Sequence, residues 1–238
     1  MPFGGLDWLA LTPEPTLEPE LPICDPHHHF WDFRTDRIPY QRYLLHDLAA
    51  DIHSGHHVRS TVFIEARAMY RADGPEELRP VGEVEFVQGL AAASASGLYG
   101  PGRVAAAIIG HANLNLGDRV EPVLDALQAA SPNRFRGIRH SANWDPHPEV
   151  ENRGFEGQLA SENFRAGARA LARRGRGVPF LHAQPRQAHP RHLPYPGPTR
   201  TASGKEISRD FAIPHPKALQ AFWNSGCQFA RRAIISGS

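Results

Sequence analysis

The sequence predicts an α/β protein in which βα units build a parallel sheet, and three observations predict it. Short apolar runs end near residues 24, 65, 109 and 139. The segments between them carry apolar residues at the three-and-four spacing of helices packed on one side. Parallel neighbours need a long crossover, most often a helix, so this alternation favours a parallel sheet over hairpins. Finally, the polar residues suited to chemistry fall just past the strand ends, where loops of such folds carry function.

Taken in order, residues 1–20 are rich in Pro and Glu (T-P-E-P-T-L-E-P-E) and read as an extended arm. Leu21–Cys24 is the first predicted strand, followed by a histidine turn in I-C-D-P-H-H-H-F-W-D. A short helix is expected over Tyr40–Leu48. Val58–Ala66, β-branched at its centre, is the second strand and ends at Glu65. Gly82–Ser96 places Val84, Val87, Leu90 and Ala91 on one helical face. Arg103–Ile109 is the third strand, ending at Gly110-His111, and Val120–Ala130 repeats the helical spacing. Phe135–Arg139 is the fourth strand, with His140 beyond it. Ser161 is placed to cap a helix reaching Arg173. Val178–Leu181 is a candidate fifth strand with His182 at its end, after which prolines recur too often for a packed helix or central strand.

Composition divides the chain in the same place. Residues 173–238 hold nine Arg and two Lys against Glu206 and Asp210, a net of +9. The first 172 residues carry 15 Arg, no Lys and 23 acidic residues, a net of −8. The expected organisation is therefore an N-terminal arm (1–20), an α/β domain (21–182) and an irregular basic tail (183–238). Cys24 and Cys227 lack metal-type spacing and read as reduced thiols, pointing to a cytoplasmic protein. No apolar stretch reaches the ~18 residues of a membrane helix. The tail lacks interleaved aromatics, which argues against nucleic acid as the partner.

Within the histidine run, extended backbone would put His27 and His29 on one face and His28 on the other. Two imidazoles so spaced can reach one divalent ion, whereas His28 is expected to pack. Asp25 either orients a ligand imidazole or caps the following turn. Arg139 either binds a substrate carboxylate bidentately or forms a salt bridge at the rim. His53, His56 and His57 read as a solvated loop.

Several strings in this order resemble the amidohydrolase-2 (amidohydrolase-related) family: I-C-D-P-H-H-H-F-W-D, S-T-V-F-I-E-A, G-E-V-E-F-V-Q-G, I-I-G-H-A-N-L and R-F-R-G-I-R-H-S. The resemblance covers about residues 11–172. It implies a (β/α)8 TIM barrel, a mononuclear divalent metal (zinc, or manganese) and hydrolysis of a lactone, ester or amide bond, with decarboxylation in some relatives. By the same resemblance His27 and His29 match the H-x-H metal ligands, while Glu65, His111, Arg139 and His140 match positions near the pocket mouth. A catalytic zinc site normally adds a third protein ligand, for which His182, Glu65 and His111 are candidates. Glu65, His140 and His182 are the candidates for acid–base work. The chain departs from the family after about residue 172, since only four to five βα units are legible. The expectation is that the second half of the barrel was replaced through a reading-frame shift or truncation near 173–180. That leaves two main function classes in view, a lactonase-like hydrolase acting on a small-molecule substrate and a catalytically incomplete half-barrel, with nucleic-acid binding through the +9 tail as a weaker third.

Overall fold

The computed structural model describes residues 11, 14–33, 41–148 and 152–174. Four parallel strands form one sheet in the order β1-β2-β3-β4: β1 Ile23–His28, β2 Val58–Ile64, β3 Arg103–Gly110 and β4 Phe135–Ile138. Four helices accompany them: α1 Leu45–Ile52, α2 Val81–Ala95, α3 Glu121–Ala130 and α4 Glu162–Arg173. The α/β class and the parallel sheet expected from the periodicity are both present. Crossovers between parallel strands are right-handed almost without exception, and with sequential strand order that rule puts successive helices on one face of the sheet. One hydrophobic core results, joining Phe63, Val104 and Ile108 to Val84 and Val87 of α2, Leu124 and Leu127 of α3 and Phe164 of α4. Burying each of these side chains contributes roughly 1.5–3 kcal/mol.

Most strand and helix ends fall within two residues of expectation, and three departures have a local reason. β1 starts later than Leu21 and runs through the histidines to His28, because pairing with β2 continues at Asp25↔Thr61 and His28↔Phe63. Its register shifts between Asp25 and His28, around Pro26, whose nitrogen cannot donate to a ladder. The expected Tyr40–Leu48 helix begins only at Leu45. Trp31 and Tyr43 exchange backbone hydrogen bonds in an antiparallel bridge, which keeps the chain extended to that point. Asp47 then accepts the Leu44 N–H at 2.8 Å and fixes the helix start. The Val120–Ala130 helix is preceded by a 3-10 segment, Leu114–Val120, interrupted at Gly117 with φ 62°. That segment packs against α4, where Gly167 has no room for a Cβ beside the Leu114 carbonyl.

Ser161 caps α4 as predicted, its Oγ accepting the Phe164 N–H at 3.3 Å. Among the described residues no helix is long and apolar enough to cross a membrane. The Val178–Leu181 strand, His182 and the basic tail lie outside the described residues.

Candidate functional site

The candidate side chains gather at the C-terminal edge of the sheet: His27 lies in the last residues of β1, and His29, Glu65, Arg139 and His111 each follow a strand directly. At the end of β1, His27 Nε2 and His29 Nε2 lie 3.2 Å apart, with the rings nearly perpendicular at 81°. His29 Nδ1 is 2.7 Å from the Ile64 carbonyl, an oxygen that can only accept, so Nδ1 carries the proton. The lone pair of His29 is thereby left on Nε2, and His27 Nε2–H is the donor between the two rings. Burial holds the His29 imidazole below its ordinary pKa, which favours the neutral, ligating form. Asp25 acts on the backbone: its Oδ1 accepts the His27 N–H at 3.0 Å. His28 turns the other way and packs edge-on against Phe30 and Phe63, at ring separations of 4.8 and 5.8 Å. Burial pushes it down to about 3.

At the end of β2, Glu65 is almost fully buried and its Oε1 accepts the Arg139 Nε–H at 2.8 Å. Arg139 Nη2 also donates to the Glu65 carbonyl oxygen. Of the two roles open to Arg139, the salt bridge is the one its guanidinium performs here. This pair ties the end of β4 to the end of β2 across β3.

His111 and His140 follow β3 and β4. His111 Nδ1 is 3.0 Å from the Arg139 carbonyl, so it donates and leaves Nε2 as acceptor. Burial holds its pKa below the ordinary value, and the ring lines a cleft. His140 is committed on both sides. Its Nδ1 accepts the Leu114 N–H at 3.0 Å, and its Nε2 lies 3.0 Å from the Gln158 side-chain amide. Burial pushes His140 down to about 4. Among the described residues no His, Cys, Asp or Glu completes a cluster of three with His27 and His29. The structure therefore does not bring Glu65 or His111 to the pair as a third donor, and His182 lies outside the described residues.

His56 is exposed as expected for a solvated loop, and His53 is exposed against Gly100 at the opposite side of α1. His57 is partly buried, with Nδ1 3.3 Å from the Glu20 carbonyl.

Comparison with protein-family models, with curated proteins and with solved structures returned no match.

Three residues at the site escaped the sequence reading. Arg67 and Tyr70 lie in the loop after β2 and line the same cleft as His111, a cavity of about 520 Å³. Glu83 is fully buried in the first turn of α2, where its Oε1 accepts the Ala66 and Ala68 N–H groups at 2.9 and 2.8 Å. A signal for Glu83 was present. It sits beside Val84 and one turn before Val87, on the face that the hydrophobic spacing turns inward.

Proposed function

We propose that the chain is a metal-dependent hydrolase of the amidohydrolase-2 type, acting on a lactone, ester or amide bond of a small carboxylated molecule. The observation that carries this reading is the His27–His29 pair. Two neutral imidazoles meet through Nε2, and one of them is anchored through Nδ1 on a backbone carbonyl, the arrangement that orients metal-ligating histidines. Two nitrogens bound tetrahedrally to one zinc at about 2.0–2.1 Å are separated by about 3.3 Å, so the spacing of the pair fits one ion once His27 gives up its Nε2 proton. His27 and His29 would hold the ion, and His182 is the sequence's remaining candidate for a third ligand. When bound, a divalent ion supplies Lewis acidity at the scissile carbonyl and acidifies water.

The chain's own residues have separable tasks in this reading. The Ile64 carbonyl keeps His29 in the ligating tautomer. The Glu65–Arg139 pair is a rigid floor, and Arg139 in turn holds His111 through its carbonyl. His111 presents an unprotonated Nε2 to the cleft and can accept a proton from an attacking group. Helices on one face of a sequentially ordered sheet match the first half of a (β/α)8 barrel, and the functional residues sit at the strand ends where such barrels work. Cytoplasmic location belongs to the same proposal.

A second reading, a non-catalytic half-barrel, is favoured by one feature: His27 and His29 satisfy each other by a direct hydrogen bond. Activity separates the two. The zinc-loaded chain is expected to hydrolyse at least one compound in a panel of lactones, nitrophenyl esters and anilides. Chelation and His29→Ala should both abolish turnover. Carbon dioxide release from carboxylated aromatics without hydrolysis would instead favour the decarboxylase branch. Hydrolysis that survives both chelation and His29→Ala would contradict the reading.

A further inference from the structure

We propose that the cleft beyond β2 and β3 is a subsite for a small organic carboxylate, with Arg67 and Arg79 as its cations. This deepens the hydrolase reading by naming the group that the substrate carries away from the scissile bond, and in that respect rests on it.

Space comes first. The cleft holds about 520 Å³, within the range of small-ligand sites, and its walls include Arg67, Tyr70, Arg79, His111, Asn113 and Asn115.

The backbone adds an independent observation. Arg67 and Met69, neither of them glycine, adopt φ of 58° and 54°. Left-handed non-glycine residues cost roughly 1–3 kcal/mol each and persist only where surrounding contacts impose them. Those contacts are present. Glu83 Oε1 takes the N–H groups of Ala66 and Ala68, on either side of Arg67. Arg71 N–H donates to the Arg79 carbonyl at 2.9 Å, closing the loop on itself. Gly82 lets α2 approach the loop, since a Cβ there would stand 2.6 Å from the Met69 carbonyl oxygen. A buried carboxyl group, a glycine and two left-handed residues thus hold one short loop in the shape that puts Arg67 and Tyr70 in the cleft wall.

Charge selects the ligand. Arg67 and Arg79 are exposed and make no ion pair among the described residues. Glu76, Glu77 and Arg153 also reach the cleft, so its formal charge with neutral imidazoles is +1. That balance suits a monoanion better than a phosphate dianion, and the guanidinium fork matches a carboxylate. Arg139, the sequence's candidate for this role, is already bound to Glu65.

The test titrates the full, metal-stripped chain with benzoate and with methyl benzoate, followed by calorimetry and saturation-transfer NMR. Benzoate is expected to bind saturably and methyl benzoate about tenfold more weakly or worse. Arg67→Gln and Arg79→Gln should each weaken benzoate by about tenfold, and Arg67→Lys by less. Arg71→Gln should leave it unchanged, because Arg71 pairs with Glu85 outside the cleft. These arginines are exposed, and circular dichroism confirms folding of each variant. Inorganic phosphate should compete only weakly. Absence of benzoate binding, equal binding of the methyl ester, or wild-type affinity in both glutamine variants would overturn the subsite. Because the assay contains no metal, the subsite can stand while the hydrolase reading fails. Zinc-dependent hydrolysis without benzoate binding would remove the subsite alone.

Discussion

At the end of β1 the nitrogens of His27 and His29 face each other at 3.2 Å, while at the ends of β3 and β4 the rings of His111 and His140 stand 5.7 Å apart and turn to the backbone. The residue type and the position after a strand are alike in both places. What differs is which nitrogens the surroundings have taken. Ile64 takes one nitrogen of His29 and the other meets only His27, its fellow candidate ligand, whereas Leu114 and Gln158 occupy both nitrogens of His140. An imidazole can ligate or exchange a proton only through a nitrogen left over. On that count His111 and the His27–His29 pair keep a nitrogen for chemistry, whereas both nitrogens of His140 have protein partners.

The largest expected effect comes from the residue between the two regions. Glu65→Ala leaves the Arg139 guanidinium, only 15% exposed, without its carboxylate. Denaturant unfolding should report a loss of about 3–5 kcal/mol, the usual result of breaking a buried pair from one side. A loss below about 1 kcal/mol would mean that the β2 and β4 ends are not clamped through this pair. A smaller effect is expected for His140→Ala, about 1–3 kcal/mol, because the buried Leu114 N–H loses its acceptor. The same variant should leave zinc affinity untouched. Weakened zinc binding in His140→Ala would erase the distinction between the two histidine pairs.

Glu83 gives a subtler test through pH. Burial holds its carboxyl up at about 8, against an ordinary value of 4.5. A raised carboxyl pKa means that ionisation is harder in the folded state than in the unfolded one. The protonated group's stabilisation is therefore fully present below about 4.5 and is lost as pH rises to about 8. Compared with Glu83→Gln, which retains an oxygen acceptor for Ala66 and Ala68, the wild type should lose stability across that window and level off above it. A stability difference independent of pH between 4.5 and 8 would show that Glu83 does not titrate as its burial requires.

The sequence made the strands and most helices legible because their hydrophobic spacing is strong: Val84, Val87, Leu124, Leu127 and Ile108 all occupy the core. It also made the facing of His27 and His29 legible, since strand alternation alone puts them together. Boundaries set by single hydrogen bonds were less visible, as at Leu45, where a Trp31–Tyr43 bridge decides the start. The state of each histidine was not legible at all. Nothing in R-H-S or G-H-A-N distinguishes a ring committed through both nitrogens from one with a nitrogen to spare, because the partners Leu114, Gln158 and the Arg139 carbonyl are fixed by tertiary packing. Arg67 and Tyr70 were missed for a related reason. Their placement depends on left-handed backbone at non-glycine residues, which sequence pattern disfavours.

The most direct measurement is a zinc titration of the metal-stripped full chain against a chromophoric chelator at neutral pH. About one equivalent should bind. His27→Ala and His29→Ala should each weaken binding by about 100-fold or more, while His140→Ala binds as the wild type does. Failure of the wild type to bind zinc, or binding that survives both His27→Ala and His29→Ala, would contradict the assignment of this pair as a metal site.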